Sequence, residues 1–109
     1  MRISMVTDNA IMFDNGNWIS YDHEQDCCEY NYADFSILNE NVINYDYDFD
    51  EDLDFEYDEL GFKFGSNGHW IFIPCYSDQN GYYSNDVDIY YNGELALSSV
   101  EGKRCEEDW

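Results

Sequence analysis

The sequence predicts an α+β domain: a mostly antiparallel β-sheet with one short helix. Three observations point there. Short β-prone segments recur along the chain, set apart by Asn-Gly pairs and other turn residues. Residues 22–38 hold no Gly or Pro, and Cys28, Tyr32 and Phe35 recur at helical spacing. Hydrophobic residues make up 44% of the chain and aromatic residues 19%, which supplies a core.

The elements follow in order. Residues 3–6 and 10–13 read as two short strands around Asp8-Asn9. Asp14-Asn15-Gly16-Asn17 is a hairpin signal, since Asn-Gly supplies the positive φ of a type I′ turn. Residues 18–21 form the returning strand. Asp22 or Asp26 caps the helix expected over 22–38. Strands are expected again over 60–64, 69–75, 87–91 and 94–98, with turns at Asn67-Gly68, Asn80-Gly81 and Asn92-Gly93. Pro74 marks an edge or a strand end. Trp70 and Phe72 read as core or edge packing, and His69 as a structural histidine. The charged tail, 101–109, is expected to fray. With 109 residues, no internal repeat and no linker, the chain reads as one domain over 1–109.

The charge is the dominant compositional fact. Four basic residues face 25 acidic ones, for a formal charge of -21 at pH 7. Phosphates would be repelled, which argues against direct binding to nucleic acid or to an anionic membrane. The imbalance fits a partner rich in Lys and Arg, or a cation. A disordered acidic tail carries few aromatics, whereas this chain has 11 Tyr, 7 Phe and 3 Trp. Met1-Arg2-Ile3-Ser4-Met5 lacks the pattern of a signal peptide, and no apolar run approaches the roughly 20 residues of a membrane helix. The expected compartment is cytoplasmic and reducing, so the 4 Cys read as thiols or metal ligands.

His23 and Cys27 are four apart and share a face on a helix. Cys28 is turned about 100° from Cys27. At a helix start both thiolates reach one ion, and Zn²⁺ prefers such His and Cys ligands. A fourth ligand would come from Cys75, or from Asp26 or Asp22. The bland reading makes Cys27 a small buried hydrophobe and Cys28 half exposed. A nucleophilic cysteine with His23 as base is disfavoured, because neighbouring acids raise a thiol's pKa.

His23-Glu24-Gln25-Asp26-Cys27-Cys28-Glu29 resembles the His-x-Gln-Asp-Cys-Cys-Glu signature of a family of small bacterial and phage domains. Asn80-Gly81-Tyr82-Tyr83-Ser84, followed by Val87, resembles that family's C-terminal segment. The resemblance implies a compact α+β domain and brings no activity with it. The dense acidic run, Cys75 and Cys105 depart from the family pattern.

That run occupies 42–58 with a period of two. Tyr45, Tyr47, Phe49, Leu53, Phe55 and Tyr57 hold odd positions, while Asp46, Asp48, Asp50, Asp52, Asp54, Glu56 and Asp58 hold even ones. Only Glu51 breaks the alternation, and Glu51-Asp52 marks a bulge or a turn between two strands. Residues two apart on a strand lie about 6.6–6.8 Å apart on one face, close to the spacing of nucleic-acid phosphates. Seven carboxylates so arranged have the makings of a nucleic-acid mimic that binds where Lys and Arg grip phosphate. A plain solvated face, weak Ca²⁺ binding and selection for solubility are the bland alternatives.

These readings converge on a non-enzymatic anti-defence inhibitor of phage origin. Its most concrete form is an anti-CRISPR protein that meets the basic channel of a Cas effector nuclease and blocks loading of DNA or RNA. The alternative is a zinc-dependent enzyme or metal-binding housekeeping domain built on His23, Cys27 and Cys28.

Overall fold

Tyr, Phe, Ile and Val alternating with polar residues favour pleated, half-buried segments, and the protein uses them to build two sheets. The computed structural model describes residues 1–22, 30–40, 42–79 and 86–106. The strands are β1 (Ile3–Val6), β2 (Ala10–Phe13), β3 (Trp18–Asp22), β4 (Tyr30–Ala33), β5 (Asp54–Asp58), β6 (Gly61–Ser66), β7 (His69–Gln79), β8 (Asp86–Tyr91), β9 (Glu94–Glu101) and β10 (Lys103–Glu106). One sheet runs β1-β2-β3-β8-β9, the other β10-β7-β6-β5, with β4 also paired to β7. Among the described residues the pairings are antiparallel except β10 with β7.

The fold is therefore mostly β rather than α+β. The helix expected over 22–38 falls partly on 23–29, outside the described residues. Its described part is β4 followed by a 3-10 helix, Phe35–Glu40. A second 3-10 helix covers Val42–Tyr45. The physical reason is pairing. Residues 75–78 of β7 need a neighbour, and Tyr30 to Ala33 supply one in register with Asp78 to Cys75. The side chains then alternate: Asn31 and Ala33 are buried while Tyr30 and Tyr32 are not. The spacing of Tyr32 and Phe35 only imitates a helix.

Asn31 sits opposite Ser77, and both are fully buried. Ser77 Oγ donates to Asn31 Oδ1, and Asn31 Nδ2 donates to the carbonyl of Asp86 at 3.2 Å. Buried polar groups must be paired, and this pair ties β4 and β7 to β8. Pro74, which lacks a donor, lies where β7 changes partners: residues 69–74 pair with β6, and β4 and β10 take over from Cys75 onward. The end expected to fray is held in part by this pairing, since 103–106 pair with Tyr76 to Gln79.

Two of the tight turns take the mirror-image form their sequence asks for. Asn67 (φ 53°) and Gly68 (φ 80°) join β6 to β7, and Asn92 (φ 54°) and Gly93 (φ 81°) join β8 to β9. At Asn15-Gly16 only the glycine takes a positive φ, at 92°, so that turn departs from type I′.

One apolar cluster joins the sheets. Ile11, Ile19, Val87 and Ile89 come from the first, and Phe62, Phe64, Ile73 and Cys75 from the second. Phe49, from the irregular segment before β5, enters the same cluster at 1% exposure. Its ring meets Phe13 at 5.9 Å and Phe64 at 5.7 Å, so it touches a strand of each sheet.

Truncating a buried Phe loses both transfer energy and packing. Phe49→Ala is expected to lower the unfolding free energy by about 3–5 kcal/mol in chemical denaturation.

Candidate functional site

The acidic run is built by its odd residues. Tyr47 stacks on His69 at 3.8 Å and donates its hydroxyl to the Ser66 carbonyl at 3.2 Å. Phe49 fills the core beside it. Phe55 packs on Phe64 and Tyr91, and Tyr57 donates to the Ser98 carbonyl at 2.8 Å, bridging to β9. All seven even-numbered acids, Asp46, Asp48, Asp50, Asp52, Asp54, Glu56 and Asp58, are exposed. The one-sided pattern read from the sequence holds as far as Phe55, while Tyr57 is 57% exposed although its hydroxyl is bonded.

Its backbone is not one strand. Only Asp54–Asp58 forms β5, and Glu51 and Asp52 form a bend ahead of it. Regular strand spacing therefore holds for Asp54, Glu56 and Asp58 alone. Residues 46–53 reach the same inside-outside alternation through backbone bonds of another kind. Phe49 exchanges hydrogen bonds with Met1: its N–H donates to the Met1 carbonyl at 2.6 Å, and its carbonyl accepts from the Met1 amino group at 2.5 Å. The Asp50 N–H donates to Ser66 Oγ at 3.0 Å.

The carboxylates differ in how much of their charge is matched. The Met1 amino group lies 2.7 Å from Asp48 and, by hydrogen bond and charge, holds that carboxyl below its ordinary pKa. Asp50 accepts from Asn67 Nδ2 at 2.9 Å. Glu56 meets Lys63 at 3.3 Å. From the described residues, Asp46, Asp52 and Asp54 receive neither a side-chain hydrogen bond nor a cation.

β5 is the edge of its sheet. Its outer face continues across Lys63 to Phe72, which are cross-strand neighbours of Glu56. Trp70 and Phe72 are 38% and 39% exposed, and Lys63 lies 5.0 Å from the Trp70 ring centroid. The face is thus acidic with an aromatic margin. Trp70 and Phe72 were expected as packing residues. The period-two pattern of 69–75 already separated them from Ile71, Ile73 and Cys75, which are buried. His69, by contrast, packs structurally on Tyr47 and Phe49.

The proposed metal ligands fare differently. His23, Cys27 and Cys28 lie outside the described residues, as do Asn80 to Ser84. Cys75 is described, at 1% exposure in the core opposite Ala33. Burial pushes its thiol from 9.0 up to about 12. Among the described residues no group of three His, Cys, Asp or Glu is placed to hold a metal ion, and no helix is long and apolar enough to cross a membrane.

These features define a class: an acidic two-sheet β domain with an exposed acidic run that leads into an edge strand. A family model described as a domain of unknown function, DUF7448, matches residues 2–89, and the chain belongs to that family. The match takes in the acidic run and both sequence motifs, and ends within β8. No curated protein and no solved structure matches the chain.

A protonated thiol in a packed core is a poor nucleophile. In the native protein at pH 8, Cys75 is expected to resist alkylation and to react fully once denatured, as read by peptide mass mapping. Since its folded pKa is raised, any stability it contributes is intact below the unfolded value of 9.0 and is lost as pH climbs toward about 12.

Proposed function

We propose that the protein is a non-enzymatic inhibitor that binds a basic nucleic-acid-binding surface of another protein through the carboxylates of 46–58. The observation that carries this reading is the exposure of all seven even-numbered acids beside a floor of packed side chains from Tyr45 to Phe55. A solvated face that served only solubility would mix in lysine to relieve repulsion. Here Lys63 is the first base after Arg2, and it is engaged by Glu56 and Trp70.

A basic channel that grips phosphate gains from such a surface in two ways. Charge-assisted hydrogen bonds form between carboxylate and guanidinium or ammonium groups. Counterions leave both partners on contact. The exposed Trp70 and Phe72 add rings on which Arg side chains stack. The most concrete version is a phage-derived anti-CRISPR protein acting in the cytoplasm of a bacterial host. It occupies the positively charged channel of a Cas effector nuclease and blocks the nucleic acid that belongs there.

The zinc reading, with His23, Cys27 and Cys28 as ligands, belongs to the scaffold in this proposal. It becomes the leading reading if chemistry depends on those residues.

Reversing Asp48, Asp50, Asp52 and Asp54 to Lys is expected to abolish capture of a nucleic-acid-binding partner from a host lysate while circular dichroism stays native. Capture by the unaltered protein should fall steeply between low and high salt. Retention of no nucleic-acid-binding protein at low salt removes the mimic. Loss of function in Cys28→Ser, with charge reversal tolerated, favours the metal-dependent alternative.

A further inference from the structure

The outer face of β4 borders a cavity of about 180 Å³ that the acidic run does not touch. Tyr21 of β3, Tyr30 and Tyr32 of β4, and Phe35 of the first 3-10 helix form its walls. Asp8, between β1 and β2, and Asp34, just before the 3-10 helix, supply its carboxylates. The space is several times the ~30 Å³ share of one water molecule in the liquid, so it admits an organic group.

The chemistry of the walls selects the sign of that group. Tyr30 and Tyr32 lie with ring centroids 5.1 Å apart and planes tilted by 32°. Tyr21 packs edge-on to Phe35 at 5.6 Å. Burial, and then a hydrogen bond to Tyr30, raise the Tyr21 phenol well above its ordinary value. That ring therefore stays neutral, and its face keeps the negative potential that attracts cations. Asp34 spends Oδ1 on the N–H and hydroxyl of Ser36, at 3.1 and 2.5 Å. Asp8 and Asp34 repel anions, and no Lys, Arg or His among the described residues lines the space. A bare divalent ion wants six or more oxygen ligands, which two carboxylates beside aromatic walls do not offer.

We infer that this cavity holds the cationic head of a lysine or arginine side chain, set against the rings of Tyr21 and Tyr30 and matched in charge by Asp8 and Asp34, with Tyr32 packed between Tyr30 and Tyr76 as the support behind them. The inference rests on the proposed function for the basic partner that carries the side chain. It does not rest on it for the chemistry of the cavity.

The test uses the full chain and three probes at fixed ionic strength: Nα-acetyl-arginine N-methylamide, the lysine counterpart and the neutral citrulline counterpart. Aromatic NMR signals report binding. A cationic probe is expected to move the ring signals of Tyr21, Tyr30 and Tyr32, with citrulline binding at least about threefold more weakly. Tyr30→Ala and Asp8→Asn are each expected to weaken the cationic probe by about two- to fivefold. Tyr30→Phe, which keeps the ring, should retain binding. A variant with Asp48, Asp50, Asp52 and Asp54 changed to Lys should bind the probe as the unaltered protein does, so failure of the acidic run and failure of the cavity are read separately. Citrulline binding as tightly as arginine, ring signals unmoved at saturation, or shifts confined to residues outside the cavity would overturn the inference.

Discussion

The insertion of Phe49 between Phe13 and Phe64 is the contact on which the acidic surface depends. Carboxylates packed this densely repel one another, and nothing in their own chemistry would hold them in a line. The apolar residues between them do that. Phe49 is buried, Tyr47 is clamped between His69 and the Ser66 carbonyl, and Phe55 leans on Phe64. Burial of each ring is worth a few kcal/mol, whereas exposed charges at these separations interact by far less in water. The hydrophobic side of the run therefore dictates geometry, and the charged side accepts it.

The partial neutralisation of the run follows from position. Asp48 lies beside the Met1 amino group and is matched in charge, while Asp50 accepts a hydrogen bond from the neutral Asn67 amide. Glu56 lies on β5 opposite Lys63 and gains a partner across the strands. Asp46, Asp52 and Asp54 sit between such contacts. β5 is also a sheet edge, and a row of charge on an edge discourages pairing with other chains. The charge keeps the edge from pairing indiscriminately, and under the proposed function it is also what a partner of opposite charge would meet.

Much of this was legible in the sequence, for identifiable reasons. The strands at 3–6, 10–13, 87–91 and 94–98 were readable because turn residues bound them and their apolar residues alternate. The inside-outside split of 46–55 was readable because alternation reports burial even where no regular strand forms, and it fails at Tyr57, whose ring is exposed. What alternation cannot report is hydrogen bonding. Phe49 and Asp50 bond their backbone to Met1 and Ser66 rather than to a ladder, and those partners are remote in sequence. Part of the segment expected as helix is a strand for a similar reason. Tyr30 to Ala33 become a strand because the C-terminal half of β7 needs a neighbour, a tertiary demand that local spacing does not record. Trp70 and Phe72 look like packing residues in the sequence because aromatic rings usually are. The cavity at Tyr21 and Tyr30 joins residues from three elements and the β1–β2 turn that no sequence motif connects.

The account holds that the unmatched carboxylates are carried at a cost to the fold. Equilibrium unfolding of a variant with Asp46, Asp52 and Asp54 changed to Asn, compared with the unaltered protein across a salt series, tests this most directly. The variant should be the more stable of the two at low salt, and the difference should vanish as salt screens the repulsion. A variant less stable than the unaltered protein at every salt concentration would mean that these carboxylates hold the structure together, and would contradict the account.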